Sequence, residues 1–104
     1  MAEIKTINVT DYPAEVTEEH VLIDVREPHE YEAGHLPGAK NMPLSEFQST
    51  YSDLPTDQAV VIVCKSGGRS MRAAEFLKGT GQYVNLINLD GGTDGWVEAG
   101  NEVE

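Results

Sequence analysis

VVIVCKSGGRSMRAA, residues 60–74, carries an uninterrupted apolar run straight into the chain's one cysteine, through two glycines to an arginine, and on into a helix-like pattern. The run AVVIV at residues 59–63 predicts a central parallel strand, because a strand covered on both faces needs no alternation with polar residues. Beyond it Met71, Ala74 and Leu77 recur at helical spacing, with a helix start near Ser70 and Gly79 placed as its stop.

Working outward, the same alternation repeats. Residues 4–7 predict a short first strand, followed by a turn or helix around residues 12–16. VLID at residues 21–24 reads as a buried strand. Pro28 then pre-sets a first helical turn, Tyr31 can face inward, and Gly34 ends the helix. HLPGAKNMP holds two prolines and a glycine, so it predicts a loop with a brief extended piece near residues 39–41. Residues 43–48 predict a short helix with Leu44 and Phe47 inward, and residues 53–58 a polar connection. YVNLINL at residues 83–89 predicts a further strand, and the chain closes with glycine turns and a short piece around Trp96. Strands alternating with helices imply helical crossovers. The expected fold is therefore α/β, three layers deep, with a parallel central sheet flanked by helices. At 104 residues the chain suits one domain over residues 1–104, large enough to bury roughly two-thirds of its unfolded surface.

Eighteen acidic against seven basic residues give a formal charge of -11, which argues against nucleic acid or an anionic membrane as partner. The N-terminal stretch does not read as a signal peptide, and the longest apolar run is too short to cross a bilayer. A single cysteine forms no internal disulfide and no CxxC pair, so a reduced compartment, the cytoplasm, is expected. His20, His29 and His35 have no metal-ligand spacing with Cys64, and neither a metal site nor a cofactor is expected. The charge is uneven, however. Residues 58–74 contain no Asp or Glu but hold Lys65, Arg69 and Arg72.

A lone cysteine after an apolar strand commonly packs as a small hydrophobe. Three neighbouring features favour a reactive one. Reactive sites in open parallel sheets lie outside the carboxyl ends of the strands. The helix that follows aims its unpaired N–H groups at the loop, and Gly67 and Gly68 let consecutive amides turn inward. Lys65 and Arg69 add formal charge. The helix N-terminus, the inward-turned amides and these two cations all favour thiolate over thiol, and so a lowered Cys64 pKa and a nucleophile.

LIDVREPHEYEAGHLPGAKNMP, VIVCKSGGRSMRAAEFL, LDGGTDGW and EAGNEV together span residues 22–103, and in order and spacing they resemble the single-domain rhodanese family of sulfurtransferases. The resemblance implies that Cys64 is a catalytic nucleophile that carries sulfane sulfur as a persulfide. It implies that Lys65, Ser66, Gly67, Gly68 and Ser70 form a substrate cradle, and that Arg69 orients an anionic donor such as thiosulfate. Cyanide or a thiol, including a protein thiol, would be the acceptor. Lys65 stands at the family position that varies most. Asp24, Arg26 and His35 belong to family motifs and read as structural, with Asp24 and Arg26 paired to backbone or to each other. Trp96 reads as a packing residue. The stretch GTGQYVNLINLDGG is about a residue longer than is usual in the family, which bears on the register of the last strand.

Two other functions compete. Related folds that act on phosphate or arsenate use a Cys-to-Arg loop with five intervening residues. Here four separate Cys64 from Arg69, a tighter cradle that suits a sulfur atom better. A persulfide carrier or docking domain in a protein relay would use the same cysteine, with the acidic surface recognising a basic partner.

Overall fold

The computed structural model describes residues 3–104. Strands β1 (Ile4–Asn8), β2 (His20–Asp24), β3 (Lys40–Asn41), β4 (Ala59–Val63) and β5 (Asn85–Asp90) form one sheet in the order β1-β5-β4-β2-β3. Every pairing is parallel. The helices are α1 (Pro28–Glu32), α2 (Phe47–Thr50), α3 (Gly68–Thr80) and α4 (Gly92–Glu98), with 3-10 turns before and after α2.

β4 is central and buried at all five positions. Its side chains alternate between two cores. Val60 and Ile62 point to the layer of α2 and α3, among Phe47, Ala73, Ala74 and Leu77. Val61 and Val63 point the other way, among Leu36, Leu89 and Trp96, with Tyr31 of α1 packed at the rim. An apolar run without polar alternation is thus what a strand between two helical layers requires. Trp96 packs as expected on α4, and its Nε1 donates to the Glu102 carbonyl at 2.8 Å.

Three boundaries differ from the sequence reading. Helix α3 starts two residues early, at Gly68, and runs through Gly79. It stops at Gly81, whose φ of 71° gives the left-handed cap that a side chain resists. The last strand begins at Asn85 rather than residue 83, where the chain first meets β4 opposite Ala59. Tyr83 lies before it, buried, with its hydroxyl donating to the Tyr51 carbonyl at 3.1 Å. The short piece expected around Trp96 is helix α4, Gly92–Glu98, which takes in residues expected as glycine turns. Gly81 and Gln82 lie in an exposed turn before β5, and β5 keeps a continuous register with both neighbours.

This topology gathers the carboxyl ends of β2, β4 and β5. Asp24, Cys64 and Asp90 therefore open onto one end of the sheet, and the loops that follow them touch.

Candidate active site

Cys64 follows the last residue of β4, and its loop returns at once into α3. The Gly67 amide donates to Sγ at 3.1 Å and the Ser70 hydroxyl lies 3.3 Å from it. Gly67 has φ 125°, a conformation that turns this amide inward and that L side chains rarely adopt.

The opposite side of the loop is held by α4. Thr93 N donates to Cys64 O at 2.8 Å, Asp94 N to Lys65 O at 3.0 Å and Gly91 N to Ser66 O at 3.1 Å, while Thr93 Oγ1 adds a second bond to Cys64 O at 3.1 Å. The loop carbonyls thus face α4, which leaves the amides facing the sulfur. Gly92 allows this approach, since a Cβ there would stand 2.4 Å from Lys65 O.

Cys64 is 1% exposed, so burial pushes its thiol pKa up. The Ser70 hydroxyl and the backbone amides of Ser70, Gly67 and Ser66 pull it down, and the net direction is downward. Hydrogen bonds to the charged form prevail over desolvation.

Lys65 and Arg69, expected as charges beside the thiolate, are each also paired with a carboxylate. Arg69 is engaged by Glu30 of α1 through two parallel bonds, Nη1 to Oε1 at 2.7 Å and Nη2 to Oε2 at 2.8 Å. Lys65 pairs with Asp94 at 2.8 Å on the exposed surface. Each cation meets its own carboxylate, and the downward pull on the thiol comes first from hydrogen bonds. Ser66 and Gly68 are exposed at the rim, Gly67 and Ser70 are buried, and Arg72 projects outward a turn beyond Arg69.

Asp24 and Arg26 do pair, at 2.8 Å and fully enclosed, with Arg26 also donating to Gly34 O at 2.7 Å. His35 stacks on Tyr31 with ring centroids 3.7 Å apart, and its Nδ1 lies 2.9 Å from the Tyr31 carbonyl. Neither histidine ring nor buried ion pair touches Sγ. Among the described residues no group of three or more His, Cys, Asp or Glu side chains is placed to hold a metal ion.

Three residues in this arrangement went unremarked in the sequence. Glu30 opposes Arg69. It also accepts from the Glu27 amide at 3.0 Å, completing a capping box that the E-x-x-E spacing signals. Asp94 opposes Lys65 and carries no local signal. Asn88, buried in β5, has Oδ1 2.5 Å from Ser70 Oγ. A polar residue inside an otherwise apolar run was the available clue.

Comparison with known proteins gives a consistent result. The family model of the rhodanese-like domain matches residues 9–99. A Bacillus subtilis protein, the uncharacterized YqhL, is 44% identical over 75 residues, 72% of this chain and 59% of its own length. A protein of Allochromatium vinosum named sulfurtransferase is 38% identical over 84 residues, 81% of this chain and 78% of its own. The crystal structure of a rhodanese-related protein from Thermoplasma volcanium superposes with a TM-score of 0.81 at 32% identity, covering 96% of this chain and 97% of the other.

Proposed function

We propose a mechanism from the premise that this chain belongs to the rhodanese-like domain family, among whose members it is similar to a named sulfurtransferase. Its general class is sulfur transfer. The reaction read from the site is movement of a sulfane sulfur from a donor such as thiosulfate to cyanide or a thiol, through a persulfide on Cys64.

The observation that carries this reading is the pair of contacts on Sγ, from the Gly67 amide at 3.1 Å and the Ser70 hydroxyl at 3.3 Å. They favour the thiolate, the nucleophilic form. Its lone pair attacks the outer sulfur of thiosulfate, the sulfur–sulfur bond of the donor breaks, and sulfite leaves with the bonding electrons. The product is the Cys64 persulfide anion. Cyanide then takes the outer sulfur as thiocyanate and returns the thiolate. Splitting one transfer into two substitutions is the advantage of a covalent intermediate.

The amides that hold the thiolate also face the charge that develops on the second sulfur, so the cradle acts as a preorganised anion site. Enclosure of Cys64 supports sulfur over phosphate. The four residues between Cys64 and Arg69 make a tight cradle around that sulfur, which suits a sulfur atom better than a tetrahedral phosphate.

Intact mass of the reduced protein before and after thiosulfate, with Cys64→Ser beside it, tests this. The expected result is a gain of one sulfur atom that needs Cys64 and is removed by cyanide with release of thiocyanate. Sulfur uptake by Cys64→Ser, or turnover unaffected by that change, would overturn it.

A further inference from the structure

Arg69 lies within the loop that cradles the sulfur, and its guanidinium is engaged by a carboxylate. Two of its nitrogens meet both oxygens of Glu30, the bidentate geometry in which a carboxylate matches arginine best. The pair is part-buried, with side-chain exposures of 31% for Arg69 and 20% for Glu30, so solvent screens it in part. The other cation of the loop is weaker in this respect. Lys65 and Asp94 are 60% and 49% exposed, and such surface pairs count for little.

Arg26 and Asp24 lie close enough to act on Glu30 and Arg69 respectively, but they form a buried pair of their own that cancels itself. Arg69 and the Cys64 thiolate still attract one another, but the Glu30 carboxylate bound to the same guanidinium offsets part of that charge, while the backbone and hydroxyl donors act at the sulfur directly. Into this site thiosulfate brings two negative charges beside a thiolate. An alkyl persulfide anion brings one. In that case the Cys64 thiolate attacks the outer sulfur, the donor sulfur–sulfur bond breaks, and an alkyl thiolate leaves with the electron pair. The less a site offers formal positive charge, the more it distinguishes these two donors.

Resting on the sulfurtransferase reading, we propose that Glu30 is the specificity-determining residue of this site: by offsetting part of the charge of Arg69 it turns the cradle away from dianionic donors and toward singly charged alkyl persulfides. Glu30 acts here through Arg69 and does not touch the reacting sulfur, so it is a positioning residue. The arginine is held in place and its charge is partly offset.

Glu30→Gln keeps the shape and one acceptor oxygen while releasing the charge of Arg69. Single-turnover sulfur uptake from thiosulfate and from a low-molecular-weight alkyl persulfide is measured for wild type, Glu30→Gln, Arg69→Gln and the double variant at low and high salt. The expected outcome is a rise of about tenfold in kcat/KM for thiosulfate in Glu30→Gln at low salt, about 1.4 kcal/mol, with a smaller rise for the persulfide. The gain should vanish in the Arg69→Gln background and shrink at high salt. Independently of any donor, the midpoint of Cys64 alkylation by iodoacetamide should move to lower pH in Glu30→Gln and not in the double variant. An unchanged donor ratio with an unchanged alkylation midpoint, in a variant that melts like wild type, overturns the proposal. If no variant takes sulfur from either donor, the sulfurtransferase reading fails while the alkylation midpoint still decides whether Glu30 masks Arg69. If Glu30→Gln does not fold, Glu30→Asp, which draws the carboxylate back from Arg69, should shift both readouts in the same direction by less, and no shift there overturns the proposal.

Discussion

Asn88 Oδ1 and Ser70 Oγ stand 2.5 Å apart, and the same Ser70 oxygen is 3.3 Å from Cys64 Sγ. A hydroxyl has one proton, so Ser70 cannot donate to Asn88 and to a thiolate together. When Cys64 ionises, the Ser70 hydroxyl donates its hydrogen bond to the thiolate. The Asn88 amide then presents its NH2 group to the Ser70 oxygen, a reversal that a side-chain amide accommodates within the same space.

Removing that hydroxyl should therefore return the thiol toward its ordinary value. Ser70→Ala is expected to raise the Cys64 pKa, because the Ser70 hydroxyl leads the influences that lower it against burial. Asn88→Leu should raise it less, since Ser70 keeps its proton but loses its guide. The pH dependence of alkylation by iodoacetamide measures both. In wild type the rate should hold as pH falls below the usual thiol range and then drop through the lowered pKa; in Ser70→Ala the drop should come at higher pH.

The contact of Gly92 with the cysteine loop should be intolerant of any side chain. A Cβ there meets Lys65 O at 2.4 Å and Cys64 O at 2.6 Å, at a φ of 59°. Gly92→Ala must push α4 and the loop apart, at about 1–3 kcal/mol for overpacking alone. Urea unfolding should show that loss, and sulfur uptake should fall further than stability, because the displaced carbonyls no longer hold the amides toward Sγ.

Acid should weaken the α1–α3 bridge in a defined window. Hydrogen bonding to Arg69 leads the effects that bring the Glu30 carboxyl down from 4.5 to about 2. A carboxylate with a depressed folded pKa stabilises the fold above its unfolded value and loses that contribution as protons bind. The bridge should thus be intact at neutral pH and fade as pH falls from about 4.5 toward 2. Urea unfolding of wild type and Glu30→Gln should differ at pH 7 and converge toward pH 2. A constant difference across that range would contradict it.

The enclosed pair at the end of β2 makes the largest single demand. Asp24 is 0% exposed and takes Arg26 N at 3.0 Å, Nε at 3.0 Å and Nη2 at 2.8 Å. Asp24→Ala leaves the Arg26 charge buried with only the Gly34 carbonyl, and breaking such a pair costs about 3–5 kcal/mol. Thermal unfolding should show a much greater loss than for Lys65→Ala, whose partner is at the surface.

Much of this architecture is legible in adjacent residues. The unbroken run of β4 announces burial on both faces, the helical spacing of Met71, Ala74 and Leu77 announces α3, and the glycines after Cys64 announce amides turned toward a sulfur. Gly79 misled because a glycine inside a helix and one beyond its end look alike in sequence. Only the left-handed φ at Gly81 separates them. Tyr83 misled because a buried aromatic at the right spacing mimics a strand residue while its hydroxyl is in fact bound to Tyr51.

By itself the sequence determined the parallel α/β order, the place of the thiol at the end of the central strand, and the donors that favour its ionised form. Those properties depend on near neighbours, through backbone periodicity, glycine conformation and the helix that follows. Tertiary structure alone decided the charge around the thiol. Glu30 reaches Arg69 across 39 positions and Asp94 reaches Lys65 across 29. A count of basic residues in residues 58–74 finds a positive island, but charge acts through space, and the crossovers of the sheet bring α1 and α4 to that island with a carboxylate for each of these two cations.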